Sequence, residues 1–295
     1  LYLQYEQEAI KQRNYSQAQH YQRVMQTIRG RSLLGFLASR NLLPKYGFPT
    51  DVVELKTDHL STIVASKIQL QRDLRIALSE YAPGAEVVAA KHIWTSGGLY
   101  KQPKRAWPTY HYTICPACSR FWRSEGEIAK ICSCGGPLRN NKTFLIPEFG
   151  FVASPKKARL SGEARPLRLF SSRVYFAEYE PRNHVSASPE FELVESLSNT
   201  DIQVSRYHSH FGKMALVNSG PQGRGFRICQ QCGFAEVAPE QIIPGTLRRR
   251  TKTRPEGHIN PRTSASCNGF IETHHLGHEF MTDVVELRLT GTLSH

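Results

Sequence analysis

"GPQGRGFRICQQCGF", residues 220–234, sets the thiols of Cys229 and Cys232 two residues apart between glycines. Two thiolates at this spacing supply half of a tetrahedral zinc site, carried on a short hairpin whose glycines let the backbone turn. "GPQGRG" lacks the lysine and the following helix of a phosphate-binding loop, so it reads as a turn that leads into a strand. The stretch places a metal-closed hairpin in a β-rich setting and asks what completes the site.

Downstream, one thiol remains, Cys267, with His258 ahead of it and His274, His275 and His278 behind. Cys267 is the third donor. His258 is the preferred fourth, because "EGHINPRTSASCNG" lies in a loop able to return to the first hairpin, whereas "HHLGHEFMTDVVELRL" reads as the beginning of a strand. His274, His275 and His278 stay open as alternatives, and in a chain with 12 histidines any of them can equally be an ordinary surface residue.

A second group stands upstream. "CPACSRFWRSEGEIAKICSCGG", residues 115–136, gives Cys115 and Cys118, thirteen intervening residues, then Cys132 and Cys134 followed by two glycines. Two short cysteine hairpins facing each other supply four donors, and four thiolates leave no open position for a reacting water, so the zinc expected here is structural. Buried thiols without metal, or a redox pair, are the competing readings. Arg120, Trp122 and Arg123 lie on the connecting loop, where an aromatic between cations suits a nucleic-acid backbone or else caps the module's small core. The 7 cysteines are odd in number and fall into these two groups, which points to metal ligation in a reducing compartment rather than to a disulfide framework.

The 295 residues suffice for two or three domains with real cores. With 38 Lys and Arg against 25 Asp and Glu, the net charge is +13, which favours a polyanionic partner, nucleic acid before membrane. The chain has neither a run of apolar residues long enough to span a bilayer nor a secretory leader, so the expectation is a soluble, intracellular protein. It begins at Leu1 in a stretch that is already helical in character, which reads as the interior of a longer polypeptide.

Residues 1–43 place Ile10, Tyr15, Tyr21, Val24, Met25 and Ile28 at roughly helical spacing, and "SLLGFLASRNLL" fits a second helix ended by Pro44. "DVVELKT" is extended, "IQLQRDLRIALSEY" is helical, and "APGAEVVAAKHIW" turns at Pro-Gly into a strand. Beyond residue 105, short alternating runs such as "YHYTI", "RVYFAEY", "FELV" and "MALVN" are strands between Pro, Gly, Ser and Asn clusters. The expected fold class is α+β: amino-terminal helices followed by a β-rich platform with two small zinc-binding modules. The expected divisions are a helical segment over 1–60, a helix-strand segment with the four-cysteine module over 61–143, and a β-rich domain with the second site over 144–295.

No GxxxxGK[ST] loop, acidic metal-binding box, nucleophile elbow or paired-acid constellation is present, so these residues hold no recognisable catalytic centre. Several stretches nonetheless resemble a known family in combination: "RNLLPKYGFPTDVVEL", "LSEYAPGAEVV" followed by "SGGL", "VNSGPQGRGFRICQQCGF", and "HINPRTSASCNG" leading into "LGHEFMTDVVELRL". Together they are similar to the region after the motor in large bacterial superfamily 2 DEAD/DEAH-box helicases. That region ends in a helicase-associated zinc-binding domain and includes mitomycin-repair helicases and the helicases of the Druantia and DISARM phage-defence systems. The resemblance runs from about residue 31 to 291. It implicates Cys229, Cys232 and Cys267 in the terminal zinc module, and His258 by its position. It also implies a bacterial cytoplasmic setting, a role in phage defence or DNA repair, and ATP-hydrolysing motor domains in cis or in trans, since none lie in this chain.

On that reading two zinc modules brace a platform that guides single-stranded or forked DNA. Phosphate contacts are expected from Lys156, Lys157 and Arg159 on one loop, from Arg248, Arg249, Arg250, Lys252 and Arg254 on another, and from Lys101, Lys104, Arg105 and Arg123. Trp94, Trp107, Tyr110 and Tyr112 are the candidate stacking rings, with core packing the competing role. Two further readings are a separate zinc-binding scaffold subunit that contacts proteins of a defence complex, and a metal-dependent nuclease built on His274, His275 and His278.

Overall fold

The computed structural model describes residues 2–15, 17–19, 21–22, 25, 51–102, 105–156, 158–162, 165–167, 172–179, 191–196, 203–239 and 257–290. The chain divides into two compact units, Leu1–Val52 and Val53–His295. The first carries helix α1 (Tyr2–Lys11), along which Ala9 is buried, and packs the rings of Tyr5 and Tyr21 against each other at 5.7 Å. The second helix expected over 32–43 lies outside the described residues.

In chain order, the elements that follow are β1 (Val52–Lys56), α2 (Ile63–Lys67), β2 (Gln71–Asp73), α3 (Leu74–Glu80), β3 (Glu86–Ala89), β4 (His92–Leu99), β5 (Thr109–Ile114), β6 (Phe121–Ser124), β7 (Lys142–Leu145), β8 (Phe151–Ala153) and β9 (Arg159–Leu160). There follow β10 (Arg173–Tyr179), β11 (Glu192–Ser196), β12 (Gln203–Asn218), β13 (Phe226–Cys229), β14 (Ala235–Val237), β15 (His258–Ile259), β16 (Ser266–Cys267) and β17 (Ile271–Thr290). One sheet has the order β2-β1-β8-β4-β3 with β9 beside β4. A larger one has the order β10-β12-β17-β7-β5-β6, with β11 on β12 and the β13/β14 pair on β17. Strands from 61–143 and from 144–295 share both sheets, and both stretches lie within the unit Val53–His295.

The 20-residue β17 organises the larger sheet. Along one edge it pairs antiparallel with β12, from Gln203↔Thr290 to Asn218↔Leu276, and then with β13, from Phe226↔His274 to Cys229↔Ile271. Between β12 and β13 the chain makes a compact excursion over "SGPQGRG", with Gly225 N–H donating to the Ser219 carbonyl at 2.7 Å and left-handed φ at Gly220, Gln222, Gly223 and Gly225. Asn218 pins this loop to the end of α3: its amide donates to the Leu78 carbonyl at 2.6 Å while its carbonyl oxygen accepts from Gly220 N–H at 2.9 Å.

The main core gathers Leu55, Leu78, Tyr81, Trp94, Leu99, Phe151, Phe226, Ile228 and Leu276. A second cluster, Tyr112, Phe121, Phe144, Ala177, Ala215 and Val217, lies within the larger sheet. Gly277 is required there, because a Cβ would fall 2.4 Å from the Phe144 ring.

One expectation changes and another is extended. "IQLQRDLRIALSEY" is a strand followed by a helix. Leu55 N–H donates to the Leu70 carbonyl at 2.9 Å, which ties the first part to β1, and the Asp73 carboxylate then accepts from Arg75 N–H at 2.9 Å as the cap of α3. "MALVN" is the buried end of the 16-residue β12, whose polar first half carries no one-sided apolar pattern to announce a strand.

Candidate metal centres

The first centre grows from two tight turns. After Cys115 the chain turns with Ser119 N–H donating to the Cys115 carbonyl at 2.9 Å. At the second half, Cys132 N–H donates to the Gly136 carbonyl at 2.8 Å and Gly135 takes φ +84°. These turns bring Cys115, Cys118, Cys132 and Cys134 together with all four sulfurs within 4.8 Å of one another. Zinc at ~2.3 Å from each sulfur separates the sulfurs by about 3.8 Å. The Cys115–Cys134 and Cys118–Cys132 pairs both stand at 3.6 Å, so the donor set fits that ion. A Cβ on Gly136 would sit 3.3 Å from the Cys115 sulfur, so the second glycine keeps room beside the thiolates.

Trp122 donates its indole N–H to the Cys132 sulfur at 3.3 Å and packs with Leu138 and Ile128 around the module. Burial opposes charge on Cys132, but the Cys134 amide and this indole outweigh it and hold the thiol down at about 6. The tryptophan thus acts as a cap on the metal module. Arg120 donates to the Ser133 hydroxyl at 2.9 Å and lies over the Phe176 ring at 5.2 Å.

The second centre joins Cys229, Cys232, His258 and Cys267, again with ligand atoms within 4.8 Å of one another. The reason His258 and Cys267 reach one point is register: β15 and β16 form a small hairpin in which His258 and Cys267 are directly opposed. Its turn is set by Asn260, whose side-chain oxygen accepts from Arg262 N–H at 2.9 Å and Thr263 N–H at 3.3 Å. Cys232 Sγ stands 3.2 Å from His258 Nε2 and Cys229 Sγ 4.0 Å from Cys267 Sγ, close to the edges of a tetrahedron with three sulfurs and one nitrogen. Phe234 N–H and Gly269 N–H each point at a sulfur, Cys232 and Cys267 respectively, at 3.4 Å. The Phe234 ring stacks on His258 at 4.9 Å.

The hydrogen bond given by Cys232 holds the Cys229 thiol well below its ordinary range, and giving that bond, with burial, pushes Cys232 up. A divalent cation would favour the thiolate form of the cysteine donors. The two donor sets could therefore hold two zinc ions, each in a closed shell suited to structure.

The second centre is locked to the smaller sheet at the end of β4. Leu99 N–H donates to the Gly233 carbonyl at 2.8 Å, and Gly98 bridges to Phe234. A Cβ at Gly98 would lie 2.2 Å from the Gly233 oxygen, and one at Gly233 would lie 2.1 Å from the Leu99 oxygen, so "SGGL" and "CGF" are complementary close-approach motifs. Arg262 adds a side-chain tie, donating to the Tyr100 hydroxyl at 2.9 Å while Lys56 lies over the same ring at 4.9 Å.

His274, His275 and His278 are buried and form no ligand group among the described residues. Neighbours on a strand face opposite sides. His274 Nδ1 meets the Thr143 hydroxyl at 3.0 Å, and His275 Nδ1 accepts from the Tyr112 hydroxyl at 2.5 Å. Burial lowers His275 to about 4, so it is the neutral ring that takes this bond while its other nitrogen serves the Gly223 carbonyl. This geometry removes the basis for a nuclease built on the three histidines.

Several of the basic residues have partners within the fold. Arg123 pairs with Glu279 at 3.0 Å and lies over Tyr110 at 4.3 Å, and Arg159 pairs with Glu86 at 2.5 Å. Lys101 lies over Trp107 at 4.5 Å and donates to the Arg105 carbonyl, and Arg105 lies over Phe149 at 4.8 Å. Lys156 is exposed. Lys104, Lys157, Arg248, Arg249, Arg250, Lys252 and Arg254 lie outside the described residues. Trp94, Trp107 and Tyr112 are core residues, each under 5 % exposed, so none of them offers a face for stacking. Beside the four-cysteine module runs an open groove of about 690 Å³, edged by Arg139, Asn140, Asn141 and Lys142, which the sequence reading did not single out.

A third ligand group, His208, His210 and Asp283, is exposed on the β12/β17 pair. Its signal in the sequence is the H-x-H of "YHSHF" on a strand, legible only once the opposing register is known.

No family model matches the chain, and no solved structure matches it. Among curated proteins it is 26 % identical over 280 residues to the Druantia protein DruE of Escherichia coli (strain UMEA 4076-1), a match that covers 88 % of this chain and 14 % of that protein. The chain thus spans about one seventh of the length of the relative it matches.

Proposed function

We propose that this chain is the zinc-braced, nucleic-acid-binding accessory region of an ATP-dependent superfamily 2 DNA helicase acting in bacterial phage defence. The observation that carries the reading is the likeness to DruE along 88 % of the chain. The net charge of +13 and two closed four-donor centres on one β-rich unit support it: such centres hold a surface rigid without doing chemistry themselves. The strand of DNA follows the groove beside the four-cysteine module, where Arg139 and Lys142 are exposed and Asn140 and Asn141 supply neutral donors. ATP hydrolysis belongs to motor domains in cis or in trans, and other defence subunits complete the assembly in the cytoplasm.

Fluorescence anisotropy with a labelled single-stranded oligonucleotide tests the binding step. About five phosphate contacts give a slope of log affinity against log salt near −3.5, at roughly −0.7 per contact. A flat salt dependence refutes it. In cells, Cys132→Ser introduced into the polypeptide that carries this segment is expected to abolish protection against phage; undiminished protection removes the defence assignment.

A second reading, a protein-docking scaffold, is favoured by one observation. Val285, Leu287 and Leu289 alternate along one face of β17 at 55 %, 62 % and 72 % exposure, an apolar stripe that DNA contact does not explain. Absence of oligonucleotide binding together with stable association with another defence subunit selects this reading.

A further inference from the structure

Two strands at a β-bulge carry a metal-ligand pattern that neither closed centre uses. In the polar half of the β12/β17 pair, His208 opposes Val285 and Ser209 opposes Val284, and the ladder resumes only at Gly212↔Thr282. Two residues, His210 and Phe211, therefore face one, Asp283, which is the arrangement of a bulge. Side chains two apart on a strand share a face, as do directly opposed residues, so His208, His210 and Asp283 project from one side. All three are exposed, and their ligand atoms lie within 4.8 Å of one another. His210 Nδ1 is 2.9 Å from Asp283 Oδ1, and the two imidazoles stand edge to face with centroids 4.4 Å apart.

The bulge is held from both sides. Phe211 N–H donates to the Ser209 hydroxyl at 3.2 Å, and Gly212 allows the close approach of Val284, whose Cγ2 would lie 2.1 Å from a Cβ there. Bulges re-aim side chains, and this one presents two imidazoles and a carboxylate from a fixed backbone rather than from a loop.

We propose that His208, His210 and Asp283 form a third metal site that takes a borderline divalent transition ion, zinc or nickel, in exchange with solvent. Two nitrogens and one oxygen suit such ions, whereas magnesium and calcium favour oxygen-only shells. Three donors on an open face leave coordination positions for water, so this site differs in kind from the closed cysteine centres. The inference does not depend on the nucleic-acid reading.

The test is calorimetric titration of the protein, already loaded with zinc at its cysteine centres, with Zn2+ and separately with Ni2+. One further equivalent is expected for each ion, with no competition from excess Mg2+. His208→Ala and His210→Ala should each weaken it more than about tenfold while leaving the tightly held zinc and the melting temperature unchanged. Cobalt supplies an independent signature: the added equivalent should give weak visible bands without the sulfur-to-metal charge-transfer absorption of the cysteine centres. The proposal is overturned if no further equivalent binds, or if the further equivalent survives both histidine variants with unchanged affinity.

Discussion

Gly233→Ala tests how the second metal centre is fastened to the smaller sheet. Gly233 has φ +82°, and a Cβ there would lie 2.1 Å from the Leu99 oxygen. The left-handed conformation alone costs an alanine about 1–2 kcal/mol. Relieving the overlap requires a shift of roughly 1.3 Å to restore ordinary contact, which stretches the 2.8 Å bond from Leu99 N–H to the Gly233 carbonyl beyond hydrogen-bonding range. Losing that buried pair adds about 1–3 kcal/mol, so the expected total is about 2–5 kcal/mol. For a unit of this size that corresponds to a fall in Tm of roughly 10 °C. Gly223→Ala is the control: φ is +72° and nothing lies within 4 Å of the added methyl, so only the backbone penalty applies, about 1–2 kcal/mol. Urea unfolding of both variants at equal zinc content, read alongside the rate of zinc release to a chromogenic chelator, separates the two effects. If Gly233→Ala is no more than 1 kcal/mol worse than Gly223→Ala, the close approach does not fasten the centre and the argument fails.

Further expectations concern the donors and one buried histidine. Strong chelation should unfold both cysteine modules and lower Tm, with two zinc ions recovered per chain by elemental analysis, because structural zinc contributes folding free energy directly. His258→Ala should lose the zinc of the second centre, His258→Cys should keep it, and His278→Ala should leave the zinc count unchanged; loss of zinc only in the last would misplace the fourth ligand. His275 is held at about 4 by burial against an ordinary value near 6.5, so the unfolded chain binds the extra proton between those values. Stability attributable to it is thus present above about pH 6.5 and lost as pH falls toward about 4, on the order of 3 kcal/mol across the interval. Comparing the urea midpoint of His275→Gln with that of the parent from pH 7 to 5 checks this, since both share the same metal ligands; parallel curves would contradict it.

The sequence made the two donor sets legible because donor identity and spacing are local properties. C-x-x-C and C-x-C followed by glycines announce turns around a cation whatever surrounds them. It made the strands legible where one face is buried, as in "YHYTI" and "RVYFAEY", and failed where both faces meet water, as in the first half of β12. The β3/β4 hairpin escaped for a different reason. Its two-residue turn is Ala90-Lys91, both at left-handed φ, in place of the Asn-Gly or Asp-Gly that normally marks such a turn. Basic residues were the least legible, because whether an arginine meets phosphate or a carboxylate depends on its neighbour in space. Arg123 and Arg159 have acidic partners, Glu279 and Glu86, that are 156 and 73 positions away or nearer only through the fold.

Register decides more here than motif does. His258 is nine positions before Cys267, a separation that matches no standard ligand spacing, yet the β15/β16 hairpin sets the two side by side. The same logic sets His210 beside Asp283, 73 positions apart, across a bulge of two long strands. In both places a strand supplies the direction and its partner supplies the missing donor, so a change that slips register by one residue should remove metal binding while leaving every ligand in the chain. Deleting Ser209 makes that slip beside the bulge. His208 and His210 then become neighbours along β12 and face opposite sides of the sheet, so at most one of them still shares a face with Asp283. Loss of the added metal equivalent with both cysteine centres still filled is the expected result, and retention of it would mean that the three side chains find each other by flexibility rather than by register.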